Sequence, residues 1–296
     1  MKKNNTLRHD GPLVIATSSR ALFDFEKESR FFHKRGLSAF IAKQRRLENV
    51  PLAPGPAFSF IRDMLALNSV LPPGSKPLVE AVVISSQHPD TGIRVLRSLK
   101  HYGMYMERSV FTGSGDTLPY LKAFGAHLLL SKSRDDVVAS VKSGIAAALM
   151  ISAPEPRPPS SRVNIALDGD GVLFSGELEK MFVDKGLDSF HEHEDTQSDV
   201  PIDDGPYRGF LSRLAIIKKA LPNNIRIALV TARGSPAHIR ALNTLRSWGV
   251  FVDEALFLGG LPKGKFVSGF SAHIFFDDNL KNIDNAKAFV PSGLVI

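Results

Sequence analysis

Asp168 and Asp170 stand one residue apart at the end of the largely apolar run Val163-Asn164-Ile165-Ala166-Leu167, with Gly169 between them and Gly171 after. The run has the length and β-branched content of a strand. In an open α/β sheet, ligands bind just beyond the carboxyl ends of the strands. Two carboxylates there repel one another unless a cation or a shared proton relieves them. Mg²⁺ together with a phosphate ester is the usual relief. In that setting Asp168 is placed as a nucleophile toward phosphorus. Asp170 is placed to protonate the leaving oxygen and then to deprotonate water. The two glycines let the backbone turn sharply and come close to a ligand.

Three further segments fit the same chemistry. Leu229-Val230-Thr231-Ala232-Arg233 offers a hydroxyl at a strand end and a guanidinium two residues on. Both can hold phosphate oxygens, with help from backbone N–H groups. They equally suit a helix cap and a surface ion pair. Leu258-Gly259-Gly260-Leu261-Pro262-Lys263-Gly264 is a glycine-rich loop. Its lysine can neutralise phosphate and the nucleophile's carboxylate, or simply be solvated. The order Gly-Lys-Ser/Thr of a P-loop is absent. Ala272-His273-Ile274-Phe275-Phe276-Asp277-Asp278-Asn279 is a second apolar run that ends in paired acids. Asp277 is expected as a metal ligand, with Asp278 supporting it or Lys263, or capping the helix that follows. His191-Glu192-His193-Glu194 lacks the spacing of a His-Glu-x-x-His site and reads as charges at a helix end.

These residues need a scaffold, and the chain is long enough for two modest domains at 296 residues. Its 43% hydrophobic and 23% charged content is ordinary for a globular protein. No apolar run approaches the roughly 18 residues of a membrane span. Residues 1–12 read as a polar, flexible tail without the apolar core of a signal peptide. The absence of cysteine excludes disulfides, thiolate zinc sites and cysteine nucleophiles, and the cytoplasm is the expected location. The net charge of +7 is compatible with anionic partners. The basic residues are scattered, and the densest cluster, Lys43 to Arg46, reads as a solvated helix face. No nucleic-acid or membrane partner is expected.

Residues 152–162 contain four prolines and read as an extended linker. The pieces on either side resemble each other. Ala21-Leu22-Phe23 corresponds to Val172-Leu173-Phe174, Val50-Pro51 to Val200-Pro201, and Gly55-Pro56 to Gly205-Pro206. Phe60 matches Phe210, Arg94 matches Arg240, Gly103 matches Gly249, and Phe124 with His127 matches Phe270 with His273. A collinear series of this length indicates a divergent internal repeat. Each copy opens with a strand (Leu13 to Thr17; Val163 to Asp168) and a helical stretch (Phe23 to Gln44; Glu177 to His193). A second helix (Phe58 to Asn68; Phe210 to Ala220) and a buried strand (Val79 to Ser85; Ile225 to Thr231) follow. A helix ends at Gly103 or Gly249, and later strands end near Ser131 and Asp278. Strands alternating with helices imply parallel sheets in an α/β fold. Asp168, Asp170, Thr231, Lys263 and Asp277 align with Thr17, Ser19, Ser85, Thr117 and Ser131. The acids and the lysine stand only in the C-terminal copy, so residues 163–296 are expected to be catalytic and 13–151 a degenerate repeat.

Taken together and in this order, the four segments resemble the haloacid dehalogenase superfamily of aspartyl-phosphate phosphatases. Thr17-Ser18-Ser19-Arg20-Ala21-Leu22-Phe23-Asp24, Val50-Pro51-Leu52-Ala53-Pro54-Gly55-Pro56-Ala57-Phe58, Pro89-Asp90-Thr91-Gly92, Val230-Thr231-Ala232-Arg233 and Phe257-Leu258-Gly259-Gly260-Leu261-Pro262-Lys263-Gly264 are similar to the cytosolic 5′-nucleotidase type I family. The similarity runs from about Leu13 to Ile296. It implies two Rossmann-like halves, a helical cap within 175–224, and Mg²⁺-dependent hydrolysis of nucleoside monophosphates such as AMP and IMP. It further implies Mg²⁺ ligation by Asp168, the Asp170 main-chain carbonyl and Asp277, with Asp278 in support. Thr231, Ala232, Arg233, Gly259 and Gly260 are the implied substrate contacts. Arg20, where the N-terminal copy's lost site would lie, is a further candidate for phosphate or ribose. A homo-oligomer is suggested by the resemblance alone. Two alternatives stay open: a phosphatase of the same chemistry acting on phosphosugars or other small phosphoesters, and a non-catalytic nucleotide-binding protein.

Overall fold

Ten strands form one continuous sheet in the computed structural model, which describes residues 11–152, 154–176, 194 and 196–296. In chain order the strands are β1 (Leu13–Thr17), β2 (Val79–Ser85), β3 (Arg108–Phe111), β4 (Leu128–Ser131) and β5 (Ala146–Ser152), then β6 (Val163–Leu167), β7 (Ile225–Thr231), β8 (Glu254–Phe257), β9 (Ile274–Asp277) and β10 (Ser292–Leu294). Across the sheet they run β3-β2-β1-β4-β5-β10-β9-β6-β7-β8. Every pairing is parallel except β5 with β10, which is antiparallel and forms the central seam. The strand order therefore reads the same outward from the seam on both sides. The sheet is α/β and largely parallel, as the alternation of elements implied.

The helices are α1 (Ser19–Leu22), α2 (Glu26–Arg46), α3 (Phe58–Ala66), α4 (Pro89–His101), α5 (Leu118–Ala123) and α6 (Arg134–Lys142), followed by α7 (Arg208–Ala220), α8 (His238–Ser247), α9 (Gly264–Gly269) and α10 (Leu280–Ala286). Because helices cover both faces, central strands such as β1 are buried at every position, with no polar alternation. The largest core cluster draws on both sides of the seam, joining Phe23, Phe58 and Phe60 to Phe174, Tyr207 and Phe210. At the outer edges the short strands β3 and β8 are blunted by cross-strand ion pairs, Arg108–Glu80 and Arg226–Glu254, with the charges exchanged between the two edges.

Two expectations shift in detail. The helical stretch expected from Phe23 begins at Glu26, and Gly36 interrupts it with φ 76° and ψ 179°. The stretch expected over Glu177 to His193 lies outside the described residues, and with it the first three residues of His191-Glu192-His193-Glu194 and, together with residue 195, part of the expected cap. Among the described residues no helix is long and apolar enough to cross a membrane.

The matched Gly-Pro pairs explain themselves in the structure. A Cβ at Gly55 would lie 2.7 Å from the Ala21 carbonyl oxygen, and one at Gly205 would lie 2.5 Å from that of Val172. Each glycine N–H donates to the chain it crosses, at Leu22 or Leu173. Any side chain there would push the strap off the turn that follows β1 or β6.

Candidate active site

The carboxyl ends of β6, β7 and β9 bring together residues that lie more than 100 positions apart in the chain. Asp168 leaves β6 with its backbone N–H bonded to the Phe276 carbonyl, which ties the ends of β6 and β9 together. The Lys263 ammonium sits between Asp168 Oδ2 at 2.6 Å and Asp277 Oδ2 at 2.7 Å. Lys263 and Asp277 are almost wholly buried, and Asp168 is 6% exposed. Asp277 Oδ1 accepts from the Asn279 N–H at 2.8 Å and from the Asn282 amide at 3.1 Å. The α9 start is pinned by Gly264 N–H donating to the Asn285 side chain at 2.7 Å, which fixes the loop that carries Lys263.

Charge and burial work against each other here. Burial pushes the Asp168 carboxyl well up from the usual carboxylate range; the Lys263 ammonium opposes this and the Asp277 carboxylate adds to it. For Lys263, burial disfavours the charge, but Asp168 and Asp277 outweigh it and raise the amine above its ordinary value. Lys263 is therefore a fixed cation.

Asp168, Asp277 and Asp278 each present an oxygen, all within 4.8 Å of one another. Three carboxylates converge beside one ammonium. Their closeness and an all-oxygen donor set fit a hard divalent cation. Gly171 allows the approach: its φ is +73°, and a Cβ there would lie 2.0 Å from Asp278 Oδ2.

Asp170 is placed differently from the other acids. Its carboxylate accepts from Arg233 Nε at 2.8 Å and Nη2 at 2.6 Å, a bidentate pair beside the site. Arg233 also donates to Glu194, which in turn accepts from Arg240 Nη1 at 2.7 Å. Arg233, expected as a phosphate contact, is thus engaged by two carboxylates and 4% exposed. Thr231 ends β7 beside Gly169, where a Cβ would lie 3.2 Å from the threonine Oγ1. Ala232, Gly259 and Gly260 are exposed at the same rim. Gly259 and Gly260 donate to the Arg233 and Ala232 carbonyls at 3.3 Å and 3.1 Å, which joins the second and third segments.

Arg20 is not brought to this rim. It follows β1, and the antiparallel seam turns the carboxyl ends of β1 and β6 toward opposite edges of the sheet. The two strands are also five strand steps apart, about 24 Å at about 4.8 Å per step.

Glu194 was read from the sequence only as a charge at a helix end. It is 1% exposed and bridges two guanidinium groups. A signal was present: Arg240 matches Arg94, and Arg94 Nη1 donates to Gln44 Oε1, the residue 150 positions before Glu194. His273, matched to His127, takes no part in the acid cluster. The Nδ1 of each accepts a backbone N–H at 3.1 Å, from Asn164 and Val14 respectively.

The acid cluster and its buried lysine thus lie at the carboxyl rim of the parallel strands β6, β7 and β9. The 5′-nucleotidase family model matches residues 5–296, and the chain belongs to that family. Human cytosolic 5′-nucleotidase 1B is 36% identical over 287 residues, covering 93% of this chain and 47% of that protein. The chain thus spans about half the length of the curated relative it matches. Both findings agree with the family read from the sequence motifs.

Proposed function

We propose that the chain hydrolyses nucleoside 5′-monophosphates with the help of Mg²⁺. The observation that carries this is the cluster of Asp168, Asp277 and Asp278, with Lys263 between the first two. Mg²⁺ would be held by Asp168, Asp277 and the Asp170 main-chain carbonyl, with Asp278 in support. When bound it would act as a Lewis acid on the phosphoryl oxygens. The Asp168 carboxylate attacks phosphorus and the bond to the 5′-oxygen breaks; Asp170, which must first free one oxygen from Arg233 and take up a proton, protonates that oxygen. Water then attacks phosphorus, Asp170 takes a proton from it, and the Asp168 carboxylate is released with phosphate. Lys263 offsets negative charge on the phosphoryl group through both steps. Thr231 and the exposed loop around Gly259 and Gly260 receive the phosphate. The bidentate grip of Arg233 orients Asp170.

We read the chain as two related halves, 13–151 and 163–296, joined by 152–162. The mirrored strand order and the paired Gly55 and Gly205 contacts support this. We place the protein in the cytosol, in line with the name of its human relative.

The test is phosphate release from a panel of nucleoside monophosphates and sugar phosphates, with Mg²⁺ and with EDTA. Mg²⁺-dependent release from AMP or IMP is the expected result. Release from sugar phosphates alone would discard the nucleotide assignment and keep the chemistry.

A further inference from the structure

The rim opposite the acid cluster holds a cavity of about 290 Å³, where the loops after β1, β2 and β3 meet α2. This is near the lower end of the roughly 300–1,000 Å³ typical of small-molecule sites. Its apolar wall includes Phe25, Phe32 and Phe40. Phe25 and Phe40 are buried, whereas Phe32 is 39% exposed and meets Phe40 edge-on at 5.5 Å. The polar wall carries Arg20, His33 and Gln87, and among the described residues no carboxylate lines the cavity. Arg20 has no ion pair among the described residues, so its guanidinium is available to an anion. Gln87 Oε1 is buried without a hydrogen-bond partner, an acceptor that the exocyclic amine of a base could satisfy.

The deeper residues explain why an anion is tolerated there. Where the C-terminal half has Asp168, Asp170 and Asp277, this half has Thr17, Ser19 and Ser131, and Ser19 is hydrogen-bonded to Ser85 at 2.8 Å. The acids that call for a divalent cation are replaced by neutral hydroxyls. The loop geometry persists: Ser114, with φ 79°, donates its N–H to Ser86 as Gly260 does to Ala232. A serine held in that conformation at the cavity wall is strained backbone of the kind that clusters at ligand sites.

We propose that this cavity is a second binding site, for a nucleoside phosphate taken up without a divalent cation. The aromatic ring lies against Phe25, Phe32 and Phe40 with an N–H on Gln87, and the phosphate is held by Arg20. The class follows from the three features together: a π surface, an unpaired acceptor and an unpaired guanidinium.

The experiment is calorimetric titration of the full chain with AMP in EDTA, beside adenosine as a control for the phosphate. At the acid cluster, three clustered carboxylates disfavour AMP when no cation is present. Saturable binding at one site per chain is expected, kept in Asp168→Asn and weakened at least tenfold by Arg20→Ala and by Phe32→Ala. Adenosine should bind more weakly than AMP. Phe32 is partly exposed, and the unfolding midpoint of its variant serves as the check on folding. No binding in EDTA, binding lost in Asp168→Asn, or binding indifferent to both cavity substitutions overturns the proposal. Mg²⁺-dependent phosphate release, measured on the same preparations, separates the two readings. Release without EDTA binding removes this site and keeps the nucleotidase, and EDTA binding without release does the reverse.

Discussion

Asp63 and Arg213 stand at corresponding places on α3 and α7, three residues after Phe60 and Phe210, and each reaches a histidine on the other side of the seam. His273 Nε2 is 3.9 Å from Asp63 Oδ2, and His127 Nε2 is 2.9 Å from Arg213 Nε. Each histidine immediately precedes a strand, β9 or β4, and binds the strand beside it through Nδ1. A neutral imidazole has one acceptor nitrogen, so at His127 the Val14 N–H and the Arg213 N–H compete for it. In both rings the neutral form is the one that fits the backbone bond.

These histidines give the fold a pH dependence of known sign. Burial, then Arg213, lowers His127 from 6.5 to about 4, and burial, then Arg157, lowers His273 from 6.5 to about 4. Between those values the unfolded chain binds more protons than the folded one. Their contribution is therefore complete above pH 6.5 and is lost as pH falls toward 4. The urea midpoint of His273→Gln should depend less on pH across that window than that of the wild type. Parallel curves would remove His273 from the account.

Asp168→Asn should cut Mg²⁺-dependent phosphate release by at least about 10³-fold, the scale seen when a nucleophile is removed. The amide is isosteric and carries no charge to desolvate, so the thermal midpoint should stay within a few degrees or rise. Substantial hydrolysis by the pure variant would unseat Asp168 as nucleophile.

Gly171→Ala puts a methyl group where Asp278 Oδ2 stands and strains a backbone at φ +73°. The acid must move away, and the cluster loses one of its three oxygens. The Mg²⁺ concentration for half-maximal rate should rise by about 10-fold or more. An unchanged Mg²⁺ dependence would show that Asp278 does not support the metal.

Glu194→Gln removes the carboxylate shared by two buried guanidinium groups. Breaking a buried pair in this way costs about 3–5 kcal/mol, to be read as a lower urea midpoint. The substitution also recreates the arrangement of Gln44 with Arg94 in the other half. With Glu194 neutralised, Arg233 is held by Asp170 without its second carboxylate. The turnover number should fall while KM changes little. A KM effect without a turnover effect would place Glu194 at substrate binding instead.

The central strands were legible because they are buried on both faces. Val79–Ser85 and Ile225–Thr231 are largely apolar, each with a single charge at its second position, Glu80 or Arg226, and their ends are as expected. The acid cluster was legible because its acids and lysine break a pattern that the other half keeps neutral. The outer strands β3 and β8 were not read, since four half-buried residues leave no periodic signal. The seam was hidden for another reason. β10 is three residues long, and its partner β5 lies more than 130 positions earlier. Nothing local announces an antiparallel pairing in a chain of parallel units, so the opposite-facing rims, and with them the placement of Arg20, could not be foreseen. Glu194 was missed because its partners lie 39 and 46 positions further along.

The seam has a consequence for any attempt to divide the molecule. β5 is Ala146-Ala147-Ala148-Leu149-Met150-Ile151-Ser152, uncharged and free of proline. Severed from β10, it would be a template for self-association, with no lysine or proline of its own to guard its row of N–H and C=O groups. Expressed alone, residues 13–152 should be recovered as dimers or larger aggregates joined edge to edge. Each half thus shields an exposed margin of the other, which keeps them bound to a common fate even though one of them carries the whole acid cluster.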